Sequence, residues 1–241
     1  PGICMKTGQK LKLVNPSTSK IFRELPYHSW QEVKAQLKTA GQVQKEWKHS
    51  SINSRTQLVQ NAMDYFRDNS ESISRDITLQ MGKPISQSKN ELKGMIHRAE
   101  VCCELTEDAL KDISLQERDG SKRFIKRESL GVVLDIAAWN YPLLIAVNVI
   151  VPAVLAGNAV VIKHSSLTPL CAIAFEKAFK HGGAPEGLVT ALIMDHNTTE
   201  MAIQSGLIHH VAFTGSTGGG RKIQTAASSQ FIDVGLELGG K

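Results

Sequence analysis

The 241-residue sequence predicts an α/β fold: a doubly wound, Rossmann-like parallel sheet, preceded by an N-terminal helical region and carrying a protruding β-ribbon. Three observations predict it. From Leu130 onward, short β-branched apolar runs alternate with helical patterns. Upstream, apolar residues recur at spacings of three and four. Between the two regions, residues 113 to 128 alternate charged and apolar side chains around Asp119-Gly120, a tight-hairpin dipeptide.

The elements follow in order. Leu11, Leu13 and Val14 lead into the turn Asn15-Pro16-Ser17-Thr18, and Ile21 to Leu25 reads as the return strand of a hairpin. Ser29 caps a helix whose apolar positions are Trp30, Val33, Leu37, Ala40, Val43 and Trp47. Further helices are expected at 52–68, 70–80 and 86–111, the last two separated by Met81-Gly82-Lys83-Pro84. The ribbon at 113–128 is marginal by itself and is expected to pack on another body. Strands are then expected at Val132 to Ala138, Ala159 to Ile162, Leu188 to Ile193, Ile208 to Phe213 and Phe231 to Leu236. The helices between them are expected at 143–156, 169–181, 198–205 and 218–228.

Composition narrows the function classes. With 41% hydrophobic and 21% charged residues the chain belongs with ordered globular proteins. No apolar run reaches the roughly 18 residues of a membrane span. The longest, 143–155, is interrupted by Asn148 and Pro152. The net charge of +5 suits anionic ligands, but Lys122, Arg123, Lys126 and Arg127 are interleaved with Glu117, Asp119 and Glu128, so no nucleic-acid surface is expected. Cys4, Cys102, Cys103 and Cys171 have neither metal-ligand nor disulfide-framework spacing, and with no signal peptide they point to a reducing, cytoplasmic setting. No metal site is expected.

Ligands of doubly wound sheets lie at the carboxyl ends of the strands, which directs attention to four loops. The first is Ala137-Ala138-Trp139-Asn140-Tyr141-Pro142, where the Asn140 amide either donates to a developing oxyanion, worth on the order of 3 kcal/mol in a dry site, or caps the following helix. The second begins at Lys163 and His164. The lysine either binds ribose or phosphate or is an ordinary surface lysine; the histidine reads as a polar loop residue; and Ser166 or Thr168 caps the next helix. The third, Phe213 to Arg221, has four glycines in six residues and is either a pyrophosphate cradle or a flexible turn. The fourth carries Glu237 between apolar residues and glycines, as a poorly solvated general base or an ion-paired glutamate.

Taken together, these segments resemble the aldehyde dehydrogenase superfamily. The resemblance is carried by Trp139-Asn140-Tyr141-Pro142, Pro152-Ala153 with Ala156-Gly157-Asn158, Lys163 with Thr168-Pro169, Gly182-Gly183-Ala184-Pro185, Phe213-Thr214-Gly215-Ser216-Thr217 and Glu237-Leu238-Gly239-Gly240-Lys241. It extends upstream through Asn15-Pro16-Ser17-Thr18 and Gly82-Lys83-Pro84. The resemblance implies NAD(P)-dependent oxidation of an aldehyde or semialdehyde to the acid. Asn140 is then the oxyanion donor and Glu237 the base for the deacylating water. Lys163 and Ser166 contact the adenosine ribose, Gly215, Ser216 and Gly219 lie near the pyrophosphate, Phe213 and Thr214 line the cofactor cleft, and Ala138, Trp139, Ser165 and Leu238 also bind the cofactor.

The same resemblance divides the chain into 1–112, hairpin and helices of the cofactor-binding domain, an oligomerisation ribbon at 113–129 that implies a homo-oligomer, dimer or tetramer, and a dinucleotide-binding domain at 130–241. The chain departs from the pattern at two places. Ser166 stands where NAD-preferring members carry glutamate, so NADP is expected alongside NAD. Met194-Asp195-His196-Asn197 replaces the glycine-rich turn usual after the third strand. The family's nucleophilic cysteine has no counterpart here, none of the four cysteines having the required context. This chain alone is therefore expected to bind the dinucleotide without turnover; the alternative is a naturally short, inactive dinucleotide-binding module.

Overall fold

The structure, a computed structural model, describes residues 9–239. Cys4, Gly240 and Lys241 lie outside the described residues. Strands β1 (Lys10–Asn15) and β2 (Lys20–Pro26) pair antiparallel across a turn in which Asn15 Oδ1 accepts the Ser17 N–H at 2.9 Å. Helix α1 (Trp30–Trp47) opens with a reciprocal cap: the Ser29 hydroxyl accepts the Glu32 N–H and the Glu32 carboxylate accepts the Ser29 N–H. Helices α2 (Ile52–Asp68), α3 (Ser70–Met81) and α4 (Ile85–Leu110) follow, within a residue of their expected bounds. The ribbon β3 (Ile113–Arg118) and β4 (Ser121–Ile125) is exposed at every residue.

The remaining elements are β5 (Val132–Ala137), α5 (Pro142–Leu155), β6 (Ala159–His164), α6 (Pro169–His181) and β7 (Val189–Ala191), then α7 (His196–Gln204), β8 (His210–Gly215), α8 (Thr217–Ser228) and β9 (Asp233–Leu238). The five strands form one parallel sheet in the order β7-β6-β5-β8-β9. Chain progression therefore reverses between β5 and β8, opening a crevice at their carboxyl ends. Right-handed crossovers put α5 and α6 on one face and α8 on the other. Helix α1 packs against β5, β6 and β7 and touches α7, which in turn touches α8. Every residue of β5, β6 and β7 is buried, which explains their continuous apolar runs. One run conceals Asp135, whose Oδ2 has no partner among the described residues and whose pKa burial raises well above the carboxylate range.

Two strands begin two residues later than their apolar runs suggest. Ile208 is buried before β8 starts, because the ladder to β5 begins only at the Val133–His210 pair. Phe231 is 96% exposed with φ 54°, in the turn before β9.

Helix α5 is apolar around most of its circumference and buried between the sheet and the N-terminal layer, so its end groups need partners inside the protein. Its N-terminus carries no side-chain cap of its own; instead the Glu91 carboxylate of α4 accepts the Leu143 and Leu144 N–H groups at 2.8 and 3.3 Å. At the other end Trp47 Nε1, Arg55 Nη1 and Gln44 Nε2 donate to the carbonyls of Val154, Leu155 and Gly157, at 2.9, 3.0 and 3.0 Å. An anion at the start and donors including a cation at the end also match the helix dipole. Gln80 of α3 does the same for α6, its Oε1 accepting the Leu170 N–H at 2.9 Å. Phe66 of α2 meets Phe175 of α6 edge to face at 5.0 Å within one continuous apolar cluster.

Gly131, at the entrance to β5, has φ +130°, and a Cβ there would lie 2.6 Å from the His209 ring, whose Nδ1 accepts the Val132 N–H at 3.0 Å. Gly131→Ala is expected to destabilise the fold by roughly 2 kcal/mol or more, combining backbone strain with a clash. An unchanged denaturation midpoint would contradict this.

Candidate active site

The sheet register aligns the site. One row runs across four strands through Lys163, Ile136, Phe213 and Leu236, at the carboxyl edge on both sides of the reversal. A cleft of about 620 Å³ opens there. The loop after β5 contributes Ala138, Trp139 and Asn140; β6 and the loop after it contribute Lys163 and Ser165; β8 and its turn contribute Phe213, Thr214, Gly215 and Ser216; β9 contributes Glu237 and Leu238. A second cleft of about 810 Å³ continues past Phe213 and Ser216 between α7 and α8, and Gly219 lies there. Ser166, exposed on the loop after β6, lines neither cleft.

Asn140 is exposed and is not the helix cap: Tyr141 occupies that position, and the capping is done by Glu91. Its side chain is thus left available to the cleft, while its backbone is held. Lys83 Nζ, in an ion pair with Glu91, donates to the Asn140 carbonyl at 2.8 Å and lies 4.1 Å from the centroid of the Tyr141 ring. Neither Lys83 nor Glu91 is adjacent to the loop in sequence, and only the Gly82-Lys83-Pro84 motif hinted at the first.

His164 is also buried rather than a surface loop residue. Its Nε2 lies 3.0 Å from the Pro142 carbonyl, which can only accept, so that nitrogen carries the proton and Nδ1 accepts from the Thr168 hydroxyl at 3.0 Å. Thr168 therefore spends its hydroxyl on His164 and does not cap α6, and no Ser166 side-chain cap forms there either. Burial lowers the His164 pKa to about 4.

Lys163 is 9% exposed, not a surface lysine, and among the described residues its ammonium makes no hydrogen bond or ion pair. Burial lowers its pKa, partly countered by the Asp195 carboxylate. The departure at 194–197 has a structural role: Asp195 Oδ1 accepts the Thr198 N–H at 2.7 Å and caps α7, which brings His196 and Asn197 to the cleft wall beside Lys163. Together with Arg221 and Lys222 of α8, they form a wall that loop-by-loop reading missed. Its one sequence signal is an Asp cap before a helical pattern.

Ser216 caps α8 by accepting the Gly219 N–H at 3.1 Å, leaving the N–H groups of Thr217 and Gly218 without intrahelical partners. The glycines make room first for the protein itself: a Cβ on Gly215 or Gly219 would lie 2.6 or 2.7 Å from Cζ of Phe213. Leu236 and Leu238 turn toward α8, where a Cβ on Gly220 would meet Leu238 at 2.6 Å, and Glu237 between them turns to the opposite face. Glu237 is exposed and unpaired among the described residues, so neither poor solvation nor an ion pair holds it here. The reason is its place on an edge strand with no covering element among those residues.

Among the described cysteines none lines either cleft. Cys103 sits between α2 and α4, its pKa pushed up to about 11 by burial, and burial raises Cys171 further still.

Because unfolded histidine titrates near 6.5 and His164 near 4, the unfolded chain binds the extra proton between these values, so stability falls as pH drops from about 6.5 toward 4. About 2 kcal/mol of the stability difference between pH 7 and pH 5 should come from this residue. Denaturant unfolding at both pH values should show that component disappearing in His164→Gln, and a variant with the same pH dependence would refute it.

The aldehyde dehydrogenase family model matches residues 4–241. A 3,6-anhydro-alpha-L-galactose dehydrogenase from Streptomyces coelicolor is 32% identical over 232 residues, 96% of this chain and 47% of that protein. The succinic semialdehyde dehydrogenase of Streptococcus pyogenes, solved with NADP+, superimposes with a TM-score of 0.90 at 25% identity, over 95% of this chain and 50% of that one. A 3,6-anhydro-L-galactose dehydrogenase structure gives 0.91 at 25% identity, over 97% and 49%. The chain thus spans about half the length of these relatives, and over that span it belongs to the aldehyde dehydrogenase family.

Proposed function

We propose that this chain forms the cofactor-binding part of an enzyme that oxidises an aldehyde to a carboxylic acid with NAD or NADP. The observation that carries the reading is that loops far apart in sequence bring Asn140, Lys163, Ser216 and Glu237 to one cleft at the reversal of the sheet. Two features fit an anionic dinucleotide: the unpaired, mostly buried ammonium of Lys163 and the free N–H groups at the start of α8. Lys163 and Ser165 of the cleft, with Ser166 exposed on the loop just beyond them, would hold the adenosine ribose. The α8 start, with Gly215, Ser216 and Gly219, would hold the pyrophosphate, while Ala138, Trp139, Phe213, Thr214 and Leu238 would bound the cleft. Serine at 166 places no carboxylate against a 2′-phosphate, and the NADP+ complex of the streptococcal relative supports NADP beside NAD. Bound NAD(P)+ supplies the hydride acceptor.

The chain's own residues then divide the work. When a cysteine thiolate adds to the aldehyde carbon, the Asn140 amide donates to the oxygen that gains the negative charge. Once the thioester has formed, Glu237 takes a proton from the water that attacks it, and the acid leaves as thiolate is restored. The thiolate lies outside residues 9–239 in this reading, since the described cysteines are buried or half-buried away from the clefts. The ribbon β3–β4, with Ile113, Leu115, Phe124 and Ile125 all exposed, would pack on a second copy of the chain.

Residues 1–241 are expected to bind NADPH or NADH without oxidising aldehydes, and the full gene product to reduce NAD+ or NADP+ with aliphatic, aromatic or semialdehyde substrates. Lys163→Ala should weaken cofactor binding about tenfold in a fluorescence titration, the loss of a charge-assisted contact. Failure of both cofactors to bind would overturn the proposal.

A further inference from the structure

The segment before α5 holds no catalytic group except the Asn140 amide, yet a buried pair, Lys83 between α3 and α4 and Glu91 in α4, grips it. Lys83 is 8% and Glu91 3% exposed, and they form an ion pair. Isolated charges so deep would cost several kcal/mol each. Each partner also makes contacts that lead to one short stretch of chain. The ammonium donates to the Asn140 carbonyl and lies over the Tyr141 ring, while the carboxylate accepts the Leu143 and Leu144 N–H groups. The peptide that carries Asn140 is thus tied on its carbonyl side to a cation and the helix immediately after it to an anion, with the two charges locked together. His164 adds a further tie, at the Pro142 carbonyl. Asn140 itself sits in no regular element, and no side-chain contact among the described residues orients its amide.

We propose that Lys83 and Glu91 are positioning residues: they fix the Asn140 peptide plane, and through it the direction in which the amide meets the substrate oxygen. The inference rests on the reading of Asn140 as the oxyanion donor. A preorganised donor costs no rearrangement as charge develops, whereas a loop free to rotate at Asn140 would lose much of the stabilisation such a donor contributes. A clamp of this kind acts on turnover more than on ground-state binding.

The test is a double-mutant cycle in the full gene product, with each variant followed by kcat, aldehyde KM, cofactor Kd and melting temperature. The variant is Lys83→Met combined with Glu91→Gln, which leaves no buried charge unpaired and keeps an amide oxygen to accept the Leu143 N–H. It should lower kcat about tenfold or more, with KM and cofactor Kd changing less than about threefold, and hydrogen exchange across residues 139–145 should quicken. Lys83→Arg, which keeps the cation, should restore most of the rate. The decisive comparison is with Asn140→Ala: in that background the same pair of substitutions should have little further effect. A full, multiplicative loss in the Asn140→Ala background would overturn the clamp, as would loss of cofactor affinity in step with kcat. If Asn140→Ala alone retained normal turnover, the reading of Asn140 would fail and the clamp with it, an outcome distinct from additivity in an impaired variant.

Discussion

The structure depends on how helix α5 is made satisfiable. About 21 Å of apolar helix, 14 residues between a buried sheet and a helical layer, presents unpaired N–H groups at one end and carbonyls at the other, far from water. Its own sequence supplies no cap, and the proline at its first position removes only one donor. Glu91 accepts at the start; Trp47, Arg55 and Gln44 donate at the end. Four side chains from three helices thereby couple the N-terminal layer to the sheet. Removing one partner of the Lys83–Glu91 pair would leave a buried charge alone, at a cost of about 3–5 kcal/mol.

That coupling reaches the chemistry because α5 begins where the Asn140 loop ends. The same layer caps α6 through Gln80, behind the loop that carries Lys163 to Ser166. Two of the four loops at the sheet's carboxyl edge are therefore fastened from outside the sheet. The β8 turn is held by local means, the Ser216 cap and the Phe213 ring against Gly215 and Gly219. The β9 end, with Glu237, Leu236 and Leu238 exposed, has no such support among the described residues.

Much of this was legible in the sequence for a physical reason. Hydrophobic periodicity records which face of an element is covered, so buried runs and helical stripes gave the order of strands and helices. The preference of ligands for strand ends then points to the loops that carry Asn140, Lys163, Ser216 and Glu237. What periodicity cannot record is who satisfies a polar group across the fold. His164 looks like a loop histidine until the Pro142 carbonyl is seen beside it, 22 residues back in sequence. Glu91 looks like one more helical carboxylate, and the α7 wall with His196 and Asn197 depends on where Asp195 starts that helix. Glu237 errs the other way: its apolar neighbours suggested burial, but Leu236 and Leu238 face α8 and leave it on the outer side of an edge strand. Phe231 opens the apolar run expected to be that strand, and it lies instead in the preceding turn.

The central claim is that the clefts on either side of Phe213 form a dinucleotide site organised by Lys163 and the start of α8. A crystal structure of the chain with NADP+ tests it most directly. The account predicts the dinucleotide across the carboxyl ends of β6, β5 and β8, with Lys163 Nζ within hydrogen-bonding distance of a ribose or phosphate oxygen and the pyrophosphate at the Ser216 to Gly219 turn. A dinucleotide bound elsewhere on the surface, or one that leaves Lys163 without a contact, would contradict it.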